Sequence, residues 1–144
     1  MIKDKLIIEL SILINATEEK VWKALVTPAL IKKYLMDADV KTDWKPGSKI
    51  TYEGVYQGKK YLDKGVIRKV EPHRLLQSTY LSSMSGKEDK PENYNLLTFR
   101  LSPAEGKTKL YVSQDNVGSE KEKEQMTSNW NSVLAKLKEV AEKG

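Results

Sequence analysis

Aromatic side chains are the residues of this sequence whose types and spacing best suit a chemical role, and that role is binding. Trp130 lies on the apolar stripe of a C-terminal segment, and Tyr52 and Tyr56 share one face of a strand by alternation. Rings that carry a few phenol or indole groups suit a mostly apolar small molecule with one polar end. The candidates for lining such a site are Tyr34, Trp44, Tyr52, Tyr56, Tyr80, Phe99, Met126 and Trp130. Ordinary core packing would use the same side chains, and the sequence leaves both interpretations open.

Groups able to act as acids, bases or nucleophiles are sparse. His73 is the only histidine and lies in "EPHR", between a proline and a strand, with no evident nucleophile near it. Asp37 and Asp39 could face one side of a strand as paired carboxylates, but neighbouring lysines balance them, which is typical of a solvated loop and strand edge. The sequence holds no G-x-S-x-G, P-loop or Rossmann fingerprint. We therefore assign no catalytic residue and expect no cofactor.

Composition argues against several classes of site. The 144 residues include no cysteine and one histidine, so we expect no disulfide, no thiolate chemistry and no metal. The net charge of +5 comes mostly from lysines interleaved with acids, whereas nucleic-acid binding needs a basic stripe. No apolar run approaches the roughly 18 residues that cross a bilayer. Glu9 and Ser11 interrupt the apolar N-terminal stretch and no cleavage site follows, so we interpret it as a strand of a cytoplasmic protein.

The C-terminal segment "MTSNWNSVLAKLKEVAE" has the most regular pattern in the chain. Its apolar residues recur at three- and four-residue steps and fall within an arc of roughly 120°, which predicts a helix with one buried stripe. That stripe consists of Met126, Trp130, Val133, Leu134, Leu137, Val140 and Ala141. Ser119 and Glu122 have capping-box spacing, so the helix is predicted to begin there.

The elements that precede this helix are predicted to be a strand, two short helices and about six more strands. Residues 3–15 form the first strand; Thr17 caps the first short helix, and Pro28 ends it and begins the second. Short turns between the later strands favour an antiparallel meander. On the strand that follows "QGKK", the apolar residues Leu62, Val66 and Val70 lie four positions apart. A strongly twisted sheet curls, so a helix across its concave face touches it along a line. The space on either side of that line is either filled by large side chains or left hollow.

Several strings, in order, resemble a known family. They are "INATEEKVWKALVTPALIKKYL", "TDWKPGSKITYEG", "GVIRKVEPHRLLQSTY" and "SNWNSVLAKLKE". Together they resemble the helix-grip fold of the START and birch-pollen-allergen superfamily, and within it the bacterial homologues of the activator of heat shock protein 90 ATPase. The resemblance implies one α+β domain over residues 1–144, with a curved antiparallel sheet of about seven strands wrapped on the long C-terminal helix. The chain departs from the family pattern at Tyr34, Ser48 and Asn129, where the family often has tryptophan, glycine and glycine.

Three functions follow as hypotheses. The first is a non-catalytic binding domain that holds a small apolar or aromatic molecule in a cavity between the sheet and the C-terminal helix. The resemblance implies the second, a protein–protein module that acts as a chaperone ATPase co-factor. It also implies the third, a cyclase- or hydrolase-like enzyme that uses the cavity. We expect neither a nucleic acid nor a membrane as partner, and the sequence leaves monomer and homodimer open.

Overall fold

The computed structural model describes residues 6–35, 37–83 and 86–143, and its strands form one antiparallel sheet. In chain order the elements are β1 Leu6–Ile14, α1 Glu18–Val26, α2 Pro28–Tyr34, β2 Asp39–Lys41, β3 Lys49–Tyr56, β4 Lys59–Glu71, β5 Leu75–Tyr80, a 3₁₀ turn Pro91–Asn93, β6 Asn95–Ala104, β7 Lys107–Val117 and α3 Glu120–Lys143. The strand order across the seven-stranded sheet is β1-β7-β6-β5-β4-β3-β2. This architecture confirms the predicted α+β helix-grip fold, with both short helices after the first strand.

The helices begin where the sequence signals predict. Thr17 caps α1, and its hydroxyl accepts a hydrogen bond from a first-turn amide at 3.2 Å. Pro28 occupies the first turn of α2, where its missing N–H costs nothing. At the start of α3 the Ser119 hydroxyl accepts the Glu122 amide at 3.2 Å, while the Glu122 carboxylate reaches back to the Gly118 amide at 3.1 Å. The reciprocal cap therefore exists, with its return bond one residue earlier than in a standard capping box.

The apolar stripe of α3 divides into two halves that differ in burial. In the second half, Leu134, Leu137 and Ala141 are buried in the main core, the cluster that also contains Leu101 and Leu110, against α1, α2 and the sheet. In the first half, Met126 and Trp130 stay partly exposed. The helix is therefore sealed against the sheet along its C-terminal half and less tightly covered along its N-terminal half.

The buried face of β4 differs from the one that its aliphatic residues suggest. Leu62 is 47% exposed, and Val66 and Val70 are only partly buried. The buried positions of the strand are Tyr61, Asp63, Gly65 and Ile67. The pairing with β5 shifts register between Ile67 and Lys69, and such a bulge changes which residues face inward beyond it. The bulge lies beyond Leu62 and Val66, which face outward by simple alternation, and it returns Val70 to the core side.

Candidate functional site

The concave face of the sheet under the first half of α3 is the candidate site. Residues directly opposite each other in an antiparallel pair point to the same face. Leu97 on β6 lies opposite both Gln114 on β7 and Ser78 on β5. Gln114 accepts a hydrogen bond from Trp130 of α3, so these residues belong to the face that the helix covers. We refer to these residues, together with the inward-facing Phe99, Tyr80, Tyr52 and Asp63 and with Trp130 of α3, as the cleft; Tyr52, Phe99 and Trp130 also pack against the main core.

One end of the cleft carries the Trp130 indole. Its Nε1 donates to Oε1 of Gln114 at 2.7 Å, which satisfies a side-chain amide that is only 4% exposed. The Phe99 ring meets the indole edge to face, with 5.9 Å between ring centroids. The indole is thereby held by a polar contact and an aromatic contact while part of its surface remains accessible.

The other end carries a carboxylate and two phenols. Asp63, only 7% exposed, accepts the Tyr80 hydroxyl at 2.6 Å, and its second oxygen accepts the Ser83 amide at 2.8 Å and the Ser83 hydroxyl at 3.1 Å. Tyr52 lies opposite Asp63 across β3 and β4, and its ring meets the Tyr80 ring edge to face at 5.6 Å. The Tyr52 hydroxyl is hydrogen-bonded to Ser78.

A glycine lets β4 and β5 approach closely beside Asp63. A Cβ on Gly65 would lie 1.8 Å from the carbonyl oxygen of Thr79, so no other residue fits without moving the backbone. The Thr79 hydroxyl also accepts the Val66 amide at 2.9 Å. This close approach places Asp63 within reach of Tyr80.

Both phenols at this end of the cleft are neutral at physiological pH. Burial raises the pKa of Tyr52 well above its ordinary value; the hydrogen bond with Ser78 opposes that rise and the Asp63 charge adds to it. Burial also raises the pKa of Tyr80, with further contributions from the charge and the hydrogen bond of Asp63. Neither phenol is therefore suited to act as a base, and Tyr80, whose hydrogen is donated to Asp63, can offer a ligand only its oxygen as an acceptor.

Between these two ends the floor is apolar. Leu97 is buried but lies outside the main core cluster, whereas Leu101, four residues along the same strand, belongs to it. Phe99, two residues from Leu97 on β6, is partly exposed, and so is Met126 on α3. The arrangement suits an apolar body between two polar ends.

The predicted site residues divide into two groups. The structure brings Tyr52, Tyr80, Phe99 and Trp130 to the concave face, with Met126 one helical turn before Trp130 on α3.

The remaining predicted site residues make other contacts. Tyr34 is buried in the main core, and its hydroxyl donates to the Ala24 carbonyl at 2.8 Å, which joins α2 to α1. Trp44 packs against the core from the connection between β2 and β3, with a φ of 61°. Tyr56 is 41% exposed near the β3–β4 turn. Their contacts are those of packing or of an exposed hairpin.

Polar residues of the cleft escaped the sequence analysis. Asp63 follows Tyr61 by two positions on β4, and this alternation marks it as inward-facing, although carboxylates are seldom buried. Gln114 follows Leu110 and Val112 at two-residue steps on β7, which also places it on the inner face. Nothing in the sequence indicates that Ser78 would meet the Tyr52 hydroxyl.

The other titratable groups considered from the sequence lie at the surface. His73 is exposed at the β4–β5 turn with a φ of 67°, and its ring meets the edge of Trp22 at 6.4 Å. Asp37 is exposed, and exposed Asp39 pairs with Lys32 at 2.9 Å, as expected for a solvated edge. Within the residues that the structure describes, no group of three or more histidine or acidic side chains could hold a metal ion.

Two open grooves lie away from the cleft. One, of about 420 Å³, is lined by Arg74, Arg100, Lys109 and Tyr111 among others. The second, of about 660 Å³, is lined by residues that include Ile7, Tyr94 and Asp115. Neither includes any of the predicted site residues.

Comparison with known proteins identifies relatives of the whole chain. The family model described as Activator of Hsp90 ATPase homolog 1-like protein matches residues 15–142. The solution structure of ChR145 from Cytophaga hutchinsonii is 40% identical, with a TM-score of 0.85 over 99% of this chain and 97% of that one. The Aha1 dimer from Colwellia psychrerythraea is 21% identical (TM-score 0.76; 95% and 96% covered), and Ara h 8.0201 is 14% identical (TM-score 0.77; 98% and 100% covered). No curated protein matches the chain. None of the described helices is long and apolar enough to span a membrane.

Proposed function

Since the chain belongs to the family of Activator of Hsp90 ATPase homolog 1-like proteins, we propose that it is a non-catalytic binding domain for a small, mostly apolar molecule. The ligand occupies the cleft between the first half of α3 and the concave face of the sheet. The receptor acts in the cytoplasm, as a monomer or a homodimer.

The observation that carries this proposal is the partial exposure of aromatic rings that face inward. Tyr52, Tyr80, Phe99 and Trp130 point toward the covered face of the sheet, yet each keeps part of its surface accessible. Burial of apolar surface gains about 25 cal/mol per Å², so an apolar ligand that covers these rings would gain free energy.

The hydrogen bonds of the cleft support a ligand with polar substituents. At one end the Trp130–Gln114 pair fixes the indole, and at the other Asp63 and Ser78 fix the phenols of Tyr80 and Tyr52. Groups that are already held in place lose little conformational freedom when a ligand binds. The cleft can therefore orient a ligand that has an apolar middle.

A ligand titration followed by NMR tests the proposal. Naphthalen-1-ylmethanol, a neutral aromatic probe, should shift the indole N–H resonance of Trp130 and the amide of Leu97, and leave the indole of core-buried Trp22 unchanged. Native mass spectrometry of gently purified protein is expected to show a bound compound of similar character. Shifts confined to the groove around Arg74 and Arg100, or no shifts at millimolar probe, would overturn it.

The family description favours a chaperone co-factor as the second candidate function. Addition of the protein to a purified Hsp90-type ATPase tests this function directly: a rise in ATP turnover supports it, and unchanged turnover excludes it.

The enzyme alternative is supported by a carboxylate in the cleft, that of Asp63, which accepts a hydrogen bond from Tyr80. Conversion of a bound compound, rather than its unchanged recovery, would favour that alternative.

A further inference from the structure

We propose that the polar end of the ligand is a cation, so that the cleft selects small aromatic amines whose ammonium group lies beside the Asp63 carboxylate. The inference rests on the proposed function and adds the chemical class of the ligand. It stands on the surroundings of Asp63 and on the rings next to it.

Asp63 is a buried charge that lacks a counter-ion in the described structure. It is 7% exposed, whereas carboxylates are almost never buried without a partner. Within residues 6–35, 37–83 and 86–143, no lysine, arginine or histidine forms an ion pair with it. The ion pairs that do occur there join exposed or half-exposed side chains. A cationic ligand would supply the missing charge.

The hydrogen bonds of Asp63 leave room for one more donor. Among the residues that the structure describes, its donors are the Tyr80 hydroxyl and the amide and hydroxyl of Ser83, all of which are neutral. A carboxylate offers about four lone-pair sites, so these donors occupy all but one. They hold the group in a fixed orientation without cancelling its charge. An ammonium donor would complete the set and form the stronger, charge-assisted type of bond.

The rings beside Asp63 favour the same ligand chemistry. Tyr52 and Tyr80 stand edge to face next to the carboxylate and are both partly exposed, and the faces of such rings attract cations. Negative charges also act on neighbouring Tyr61. Burial raises the pKa of Tyr61, and the charges of Asp63, Asp37 and Asp39 raise it further.

The dimensions of the cleft suit an aromatic amine. Asp63 on β4 and Gln114 on β7 are separated by three strand spacings, about 14 Å along the sheet. Leu97 and Phe99 line the distance between them. A fused aromatic system with one aminomethyl group matches this order of carboxylate, rings and apolar floor.

Three probes of equal size and different charge test the inference. Naphthalen-1-ylmethylammonium, naphthalen-1-ylmethanol and naphthalene-1-carboxylate are titrated into the wild-type protein, with affinities measured by NMR. We expect the cation to bind at least about tenfold more tightly than the alcohol, and the anion to bind most weakly. The net charge of +5 repels a cation at long range, so such a preference must arise locally.

Variants assign the preference to a residue. Asp63→Asn keeps the shape of the side chain and should reduce the cation's advantage over the alcohol to less than about twofold. Asp89→Asn is the matched control, because Asp89 also accepts a tyrosine hydroxyl and carries a charge, but lies exposed outside the cleft. It should retain the full preference for the cation.

The outcomes separate this inference from the proposed function. Equal binding of the cation and the alcohol by the wild-type protein overturns the inference and leaves the proposed function intact. A preference for the cation that survives in Asp63→Asn also overturns it. Failure of all three probes to bind overturns the proposed function itself. The comparison of probes on the wild-type protein decides the ligand class even if Asp63→Asn fails to fold.

Discussion

Replacement of Leu97 by phenylalanine tests whether the cleft contains free space. Leu97 and Leu101 lie on the same face of β6, four residues apart, and both are 6% exposed. Leu101 belongs to the main core cluster, whereas Leu97 lies outside it under the first half of α3. Leu101→Phe is thus a matched control: it makes the same chemical change at equal burial in a sealed environment.

The two variants should differ in stability by more than the error of the measurement. Extra volume in a well-packed core costs typically about 1–3 kcal/mol, because neighbours are forced from their preferred rotamers. We expect Leu101→Phe to fall in that range. Leu97→Phe should cost less than about 0.5 kcal/mol, because the added ring atoms enter space that a ligand would occupy and gain burial there.

Urea unfolding with linear extrapolation measures the two free energies of unfolding. The affinity for naphthalen-1-ylmethanol supplies an independent readout: Leu97→Phe should lower it at least about tenfold, equivalent to about 1.4 kcal/mol, while Leu101→Phe leaves it unchanged. Equal destabilisation by both substitutions would show that the space under the first half of α3 is as tightly packed as the core. That result refutes the reasoning behind the cleft.

Three further predictions concern stability. Trp130→Phe removes the donor to the buried amide of Gln114 and should cost about 1–3 kcal/mol in urea unfolding; a loss above about 3 kcal/mol would indicate a sealed core instead. Thr17→Ala should cost about 1 kcal/mol, whereas Thr27→Ala, at a helix start without a side-chain cap, should be nearly neutral; equal effects would contradict the capping assignment. Burial raises the pKa of Tyr52, so its neutral form stabilises the fold fully below pH 10.0 and this contribution is lost as the pH rises further. Urea unfolding at increasing pH should show a shallower loss of unfolding free energy for Tyr52→Phe than for the wild-type protein. Equal losses in the two proteins would count against burial of the phenol.

Much of the architecture could be predicted from local patterns. The steps between Met126 and Ala141 predicted one long helix, and Thr17, Pro28 and Ser119 marked helix starts that the structure confirms. These signals act over a few residues, since periodicity and capping depend on neighbours along the chain. The strand count and the order of elements followed in the same way.

The candidate site was predictable only in part. Tyr52, Tyr80 and Phe99 lie on the concave face and Trp130 faces it from α3; alternation placed each strand residue on one face without deciding which face is inward. Tyr34 was grouped with them, but its hydroxyl bonds to a carbonyl of α1. Whether an inward-facing aromatic residue lines a cleft or fills a core depends on what the opposite layer places against it, and no local pattern contains that information.

The sequence by itself determined which segments are helices and strands and that one apolar stripe must be buried, because those properties repeat along the chain at fixed periods. Only the tertiary structure decided which half of the stripe is sealed and which face of β4 is buried, since a bulge and a close approach at Gly65 intervene. It alone also joined Asp63 to Tyr80, which lie 17 positions apart in the chain. Contacts of that kind arise from strand register and sheet curvature, which are set when the layers pack together.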